Sequence, residues 1–113
     1  MVEMAKASGA TFVARTTTYH VQQMADIIRA AILHEGFSVV EVMSQCPTYF
    51  GRKNKQGGAV EMMKRMKEGT TPIGSTKKAE HPELIERGIF VQTDKPEYCS
   101  EYNRIIERAM GGV

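Results

Sequence analysis

A pattern of strand, helix and strand within residues 11–43 most constrains what this chain can fold into. Residues 11–14 (Thr-Phe-Val-Ala) are a short, mostly apolar run typical of a buried strand, and residues 37–43 form a second, Val-rich strand. Between them, apolar residues at helical spacing predict a helix that ends at Gly36. This is the size of one right-handed crossover with two parallel strands, and it predicts an α/β fold.

The crossover also predicts the position of a ligand site. Parallel strands end at the same edge of a sheet, so the segments that leave them, residues 15–19 and 44–50, should meet where open α/β sheets bind ligands. The first segment contains Thr17, Thr18 and Tyr19 ahead of a helix N-terminus. These hydroxyls could bind an anionic cofactor, or they could simply cap the helix.

Composition excludes several classes of protein. The chain of 113 residues can bury one core but not two independent ones. It has no run of about 18 apolar residues that would span a membrane, and its two cysteines, Cys46 and Cys99, do not make a disulfide framework. We therefore expect a cytoplasmic domain with no membrane contact.

A basic stretch suggests one function. Residues 52–78 carry eight Lys and Arg against two Glu, a local balance of +6 in a chain of net charge +2. It could bind an anion or a nucleic acid, whereas a solvated helix face and loop is the more common explanation. A non-catalytic anion- or nucleic-acid-binding module that uses residues 52–78 is therefore the alternative hypothesis.

The second half is predicted to be mainly helical. In chain order, the patterns indicate a basic loop at 49–58, a helix ending at Gly69, an extended linker at 70–80, a short helix at 81–88, a short strand at 89–91, and a last helix that begins after 94–97 and ends at Gly111-Gly112. We predict two parts, residues 1–56 with the crossover and residues 57–113 as an extension. Two parallel strands are marginal alone, so we expect partner surface and an oligomer.

Cys46 is the residue whose side chain could take part in the widest range of chemistry. It follows the second strand, at the predicted ligand edge, in a Cys-Pro pair. A thiolate there could ligate a soft metal or an iron–sulfur cluster, or act as a nucleophile with His20 as its base. No Cys-x-x-Cys spacing accompanies it, so the spacing alone favours an inert thiol.

Several segments in order resemble one family. Residues 9–15 (Gly-Ala-Thr-Phe-Val-Ala-Arg), 36–42 (Gly-Phe-Ser-Val-Val-Glu-Val) and 46–54 (Cys-Pro-Thr-x-x-Gly-Arg-x-Asn) resemble the thiamine-diphosphate-binding β subunit of 2-oxoacid:ferredoxin oxidoreductases, most of all its 2-oxoglutarate branch. The resemblance implies the C-terminal part of a doubly wound parallel-sheet domain plus a helical C-terminal extension. A helix end predicted at residues 1–8 fits a chain that begins inside a larger fold.

The resemblance implies a role for particular residues. The family decarboxylates a 2-oxoacid oxidatively to an acyl-CoA and passes electrons to ferredoxin, using thiamine diphosphate, Mg²⁺ and [4Fe–4S] clusters. Cys46 matches one cluster ligand, and the other three belong to a part of the subunit outside this sequence. Arg52 and Asn54 are candidates for binding the substrate, and Thr17, Thr18 and Tyr19 for the cofactor. We expect a fragment that binds no cofactor alone and acts with the remainder of the β subunit, the α subunit, ferredoxin and coenzyme A.

Overall fold

The computed structural model of the chain describes residues 1–111 as a sheet with helices on both faces. In chain order the elements are α1 (Val2–Ala7), β1 (Phe12–Thr17), α2 (Val21–Leu33), β2 (Ser38–Met43), a π-helical turn (Pro47–Gly51), α3 (Ala59–Glu68), β3 (Thr70–Pro72), α4 (Thr76–Glu80), β4 (Ile85–Gln92) and α5 (Tyr98–Ala109). The strand order is β2-β1-β4-β3. β1 is parallel to β2, β3 is parallel to β4, and β1 and β4 are antiparallel. The predicted α/β crossover is confirmed.

Strand β1 is buried on both of its faces, and this follows from the alternation of side chains along a strand. Val13 packs with Val2 and Ala10 on the face covered by α1. Phe12 packs on the opposite face with Ile27 of α2. The two small cores therefore lie on either side of one central strand, which is why residues 12–14 are apolar on both faces.

Strand β1 is longer than its apolar run. Arg15, Thr16 and Thr17 continue the strand, pairing with Glu41, Val42 and Met43 of β2, and were wrongly predicted to leave it. The N-cap of α2 is His20, and none of the preceding threonines caps the helix. The parallel ladder to β2 extends the strand through these polar residues, and Thr16 and Thr17 are fully buried there.

The second half contributes two strands as well as helices. The linker predicted at 70–80 and the helix predicted at 81–88 are both wrong, because these residues form β3, α4 and the start of β4. The strand predicted at 89–91 is confirmed as part of β4. Pairing with β1 on one side and β3 on the other supplies the backbone hydrogen bonds that the local pattern assigned to a helix. The extension is thus not purely helical, and the sheet continues across the predicted boundary at 56 and 57.

Helices α3 and α5 lie where their patterns placed them. Helix α3 ends at Gly69, as predicted. Helix α5 begins after Glu97, whose side chain accepts hydrogen bonds from the amides of Cys99 and Ser100. Every residue of α5 is exposed. The predicted terminator Gly112 lies outside the described residues. No helix within residues 1–111 has the length and apolar character needed to cross a membrane.

Candidate functional site

The segments that leave β1 and β2 meet at the carboxyl edge of the sheet, as the topology predicted. The Thr18 hydroxyl donates a hydrogen bond to Oε1 of Gln45 at 2.9 Å. The Thr18 amide donates to the carbonyl oxygen of Met43, also at 2.9 Å. These two bonds join the first residue after β1 to the segment that precedes Cys46. The edge is therefore a connected surface.

The predicted cofactor residues Thr17, Thr18 and Tyr19 all lie at this edge. Thr17 is fully buried, and its hydroxyl pairs with Nδ1 of His20 at 2.8 Å. Tyr19 is half-buried, with its ring 5.1 Å from the ring of His20 and the Lys67 ammonium 5.7 Å from its centroid. The Thr17 and Thr18 hydroxyls thus bond within the chain, and cofactor binding by these three residues stays a prediction.

His20 lies in a positively charged environment. Burial lowers its pKa from the ordinary value of 6.5, and the nearby charges of Arg87 and Lys67 lower it further. Arg87 is itself fixed by a 2.7 Å hydrogen bond from Nη1 to Oε1 of Gln23 in α2. Since Nδ1 of His20 is engaged by Thr17, and the hydrogen bonds of residues 1–111 include none from His20 to Cys46, the structure does not form a Cys–His pair.

Cys46 is an exposed thiol at the start of the π-helical turn. The backbone amides of Phe50 and Tyr49 donate toward its sulfur and lower the pKa of the thiol, with a smaller contribution from the Thr48 hydroxyl. Hydrogen bonds to the charged form favour that form. A thiolate is also the form that binds metals. The turn therefore presents a sulfur whose surroundings suit a metal ligand.

The turn that carries Cys46 replaces part of the basic loop predicted at 49–58. The Gly51 amide closes it by donating to the Cys46 carbonyl at 2.8 Å. The predicted substrate residue Asn54 bonds back to the same turn, since its Nδ2 donates to the Phe50 carbonyl at 2.9 Å. Arg52, the other predicted substrate residue, directly follows Gly51 in the sequence and is exposed. Substrate binding by Arg52 and Asn54 stays a prediction.

A largely apolar cavity of about 430 Å³ opens beside Cys46, between the end of β2, the turn and α3. Its walls include Met43, Phe50, Met62 and Met66, with Gln45 and Arg65 as polar groups. Sequence reasoning did not assign Gln45 or the α3 methionines to the site. The methionine spacing indicated a packed helix face, but it carried no information about what that face packs against.

The described residues do not form a whole metal site. Within residues 1–111, no group of three or more His, Cys, Asp and Glu side chains could hold a metal ion. Cys99, the other thiol, is exposed at the first turn of α5. Ligation of a cluster by Cys46, with the other ligands from outside this sequence, stays a prediction.

The strand-end arrangement and the sequence agree with one group of proteins. No family profile matches the chain. Over 115 residues it is 41% identical to "2-oxoglutarate synthase subunit KorB" of Methanothermobacter marburgensis, covering 98% of this chain and 40% of that protein. The subunit of the same name from Methanocaldococcus jannaschii is 40% identical over 111 residues, or 96% of this chain and 41% of the relative.

A shorter match and a structural match agree. The "2-oxoacid:ferredoxin oxidoreductase subunit beta" of Saccharolobus solfataricus is 44% identical over 48 residues, 42% of this chain and 16% of that one. The fold matches "2-oxoglutarate:ferredoxin oxidoreductase from Magnetococcus marinus with 2-oxoglutarate, coenzyme A and succinyl-CoA bound" with a TM-score of 0.75. That match has 22% identity and covers 99% of this chain and 39% of the other, so it supports the fold. Over nearly its whole length the chain is homologous to subunit KorB of 2-oxoglutarate synthase, and it spans 40% of that subunit's length.

Proposed function

We propose that this chain supplies the C-terminal part of the β subunit of a cytoplasmic 2-oxoglutarate:ferredoxin oxidoreductase. The complete enzyme would convert 2-oxoglutarate and coenzyme A to an acyl-CoA and CO₂, and pass two electrons to ferredoxin. The observation that carries the proposal is the exposed Cys46 thiol at the carboxyl edge of the sheet, with backbone amides directed toward its sulfur. The chain that forms this sheet is homologous to subunit KorB of 2-oxoglutarate synthase. The chain would act with the remainder of the β subunit and with the α subunit.

The cofactors would come together only in the complete enzyme. Thiamine diphosphate, held with Mg²⁺ mainly by residues outside this chain, supplies the nucleophilic carbon that such a decarboxylation requires. Cys46 would be one of four thiolates around a [4Fe–4S] cluster. Thr17, Thr18 and Tyr19 would shape the neighbouring edge toward the cofactor, and the tie from Thr18 to Gln45 would keep that edge in register with Cys46.

The ligand role of Cys46 is tested in the assembled enzyme. We expect Cys46→Ser to remove one cluster, measured as iron and sulfide per β subunit and as loss of its electron paramagnetic resonance signal. Cys99→Ser is the matched control, because Cys99 is the other exposed thiol of the chain, and it should keep full iron content. A Cys46→Ser enzyme with wild-type iron and an unchanged signal would contradict the proposal.

The alternative, an anion- or nucleic-acid-binding module, receives less support from the geometry. The cations of residues 52–78 are spread over the segment 52–55 after the turn, α3 and α4, and several are engaged within the chain. Lys53 lies 4.3 Å from the ring centroid of Tyr49, Arg65 donates to Gln56, and Lys78 donates to the carbonyl of Pro82 at 2.6 Å. Such binding would depend strongly on salt, so a mobility-shift titration at low and moderate ionic strength tests it.

A further inference from the structure

We propose that Met62 of α3 is a positioning residue for the cluster ligand, acting through Gly51 on the turn that holds Cys46. The inference rests on the proposed function of Cys46 and deepens it. It connects the second half of the chain to the ligand site, although α3 contributes no ligand of its own. One methionine packs on the turn, and the turn is closed by hydrogen bonds of its own backbone.

Met62 occupies a space that only a glycine leaves open. A Cβ added to Gly51 would lie 2.7 Å from Sδ of Met62, closer than real Cβ contacts come. It would also lie 3.4 Å from the carbonyl oxygens of Cys46 and Gly57. Met62 is the one buried residue of α3, and Gly51 is the one buried residue of the turn. The two elements therefore contact each other through their buried residues, with the Met62 sulfur against the Gly51 backbone.

This contact fixes the closing bonds of the turn. The Gly51 amide donates to the Cys46 carbonyl at 2.8 Å, and the Gln56 amide donates to the Gly51 carbonyl at the same distance. Gly51 therefore makes hydrogen bonds through its amide and through its carbonyl, and Met62 packs against it. Tyr49 and Phe50, whose amides face the Cys46 sulfur, lie between the two ends of the closed turn. If the turn opens, those amides turn away from the sulfur.

Neighbouring methionines of α3 perform a different task. Met63 and Met66 approach the other strand-end segment, with each sulfur 3.8 Å from the Thr18 hydroxyl oxygen. Of the three methionines, Met62 has the atom nearest to a Cβ built on Gly51. One helix therefore contacts both strand-end segments through different residues, and Met63 is a matched control for Met62.

The chemical consequence concerns the electron density on the sulfur. Amide hydrogen bonds to a cluster thiolate are among the features that set the reduction potential of an iron–sulfur cluster. The closure of the turn can be measured in the chain without a cluster, and the potential of the cluster can be measured in the assembled enzyme.

The first test is amide hydrogen exchange of the 113-residue chain, followed by nuclear magnetic resonance so that single amides are resolved. We expect Met62→Ala to speed exchange of the Gly51 and Gln56 amides by about tenfold, because the hydrogen bonds of these amides close the turn on which Met62 packs. The amides of β1 serve as the internal standard. Met62→Leu and Met63→Ala should both keep the wild-type rates. Wild-type exchange at both amides in Met62→Ala would overturn the proposal.

The second test separates this inference from the proposed function. In the assembled enzyme, Met62→Ala should keep its iron and shift the midpoint potential of one cluster to a more negative value. Met62→Leu should keep both the iron and the wild-type potential. If Cys46→Ser retains iron, the proposed function fails, whatever the exchange rates of the turn in Met62→Ala. If Cys46→Ser loses iron but Met62→Ala leaves either the exchange rates or the potential unchanged, only the positioning role fails.

Discussion

His20 is a single residue whose protonation is opposed by its surroundings. Burial, Arg87 and Lys67 all lower its pKa from 6.5 in the folded chain. The unfolded chain therefore takes up a proton at higher pH than the folded chain does. The contribution of His20 to stability is fully present above about pH 6.5, and it is lost as the pH falls toward the pKa of the folded state.

We predict that Lys67→Gln raises the pKa of His20, because it removes one of the two positive charges that oppose protonation. The measurement is a pH titration of the His20 ring by nuclear magnetic resonance. Lys64→Gln is the control, since it removes an equal charge from the same helix at a position that does not act on His20. Equal His20 pKa values in Lys67→Gln and the wild type would contradict this account.

At the residue scale, the sequence allowed Cys46 and Thr18 to be placed at one edge, because strand direction alone determines where parallel strands end. The groups around Cys46 could not be predicted. The π-helical turn has no repeating pattern, and Met62, which packs on it, has the spacing of any core methionine. Thr17 was predicted to lie in the segment after the strand, yet it pairs with Met43 within β1 and is buried.

Helix α5 depends on its own sequence rather than on packing, since all of its residues are exposed. Its first turn is held by Glu97, which accepts hydrogen bonds from Cys99 at 3.1 Å and Ser100 at 2.7 Å. These amides lower the pKa of the Glu97 carboxyl below its ordinary value of 4.5. The stabilisation by the cap is therefore present above pH 4.5 and is lost as the pH falls through the pKa of the folded state.

We predict that Glu97→Ala increases amide hydrogen exchange at Cys99, Ser100 and the following turn of α5, with little change in the sheet. A residue in a helix without tertiary contacts exchanges by local fraying, which the cap suppresses. The measurement is hydrogen–deuterium exchange followed by peptide mass spectrometry. Glu107→Ala removes the same charge near the other end of α5 and should leave the first turn unchanged; equal protection in Glu97→Ala and the wild type would exclude a capping role.

At the element scale, helices with a clear apolar period were predicted well, and β4 was not. Its first residues follow a proline and carry Glu86 and Arg87, a composition that suits a short helix. In the structure, the carbonyl of Glu86 accepts from Arg15, and Arg87 reaches Gln23. These partners lie more than sixty positions earlier in the chain, so no local pattern could reveal them.

The whole molecule is joined by β4, which connects the two predicted parts of the chain. Residues 12–15 of β1 pair with residues 88–92 of β4. The side chains of Phe90 and Val91 pack against the core that also contains Val13. The division into residues 1–56 and 57–113 stays a prediction, and the sheet contains strands from both parts.

We predict that a fragment of residues 1–56 does not fold, because its central strand loses the antiparallel partner and part of one core. Circular dichroism should show little ordered structure, and adding a peptide of residues 57–113 should restore it. A chain truncated after residue 96 is the control, since it loses only the exposed α5 and should fold as the full chain does. A cooperative unfolding transition in the 1–56 fragment would contradict the prediction.

The pairing of β1 with β4 also determines when the sheet can form in full. The hydrogen bond from the Thr93 hydroxyl to the Thr11 carbonyl joins residues 82 positions apart. During synthesis, β1 and β2 emerge long before β4. Until β4 is available, the backbone groups on that edge of β1 stay unpaired. Closing so long a loop is slow and costs chain entropy. Refolding should therefore be limited by the meeting of the first and last strands, and aggregation should compete with it at that step.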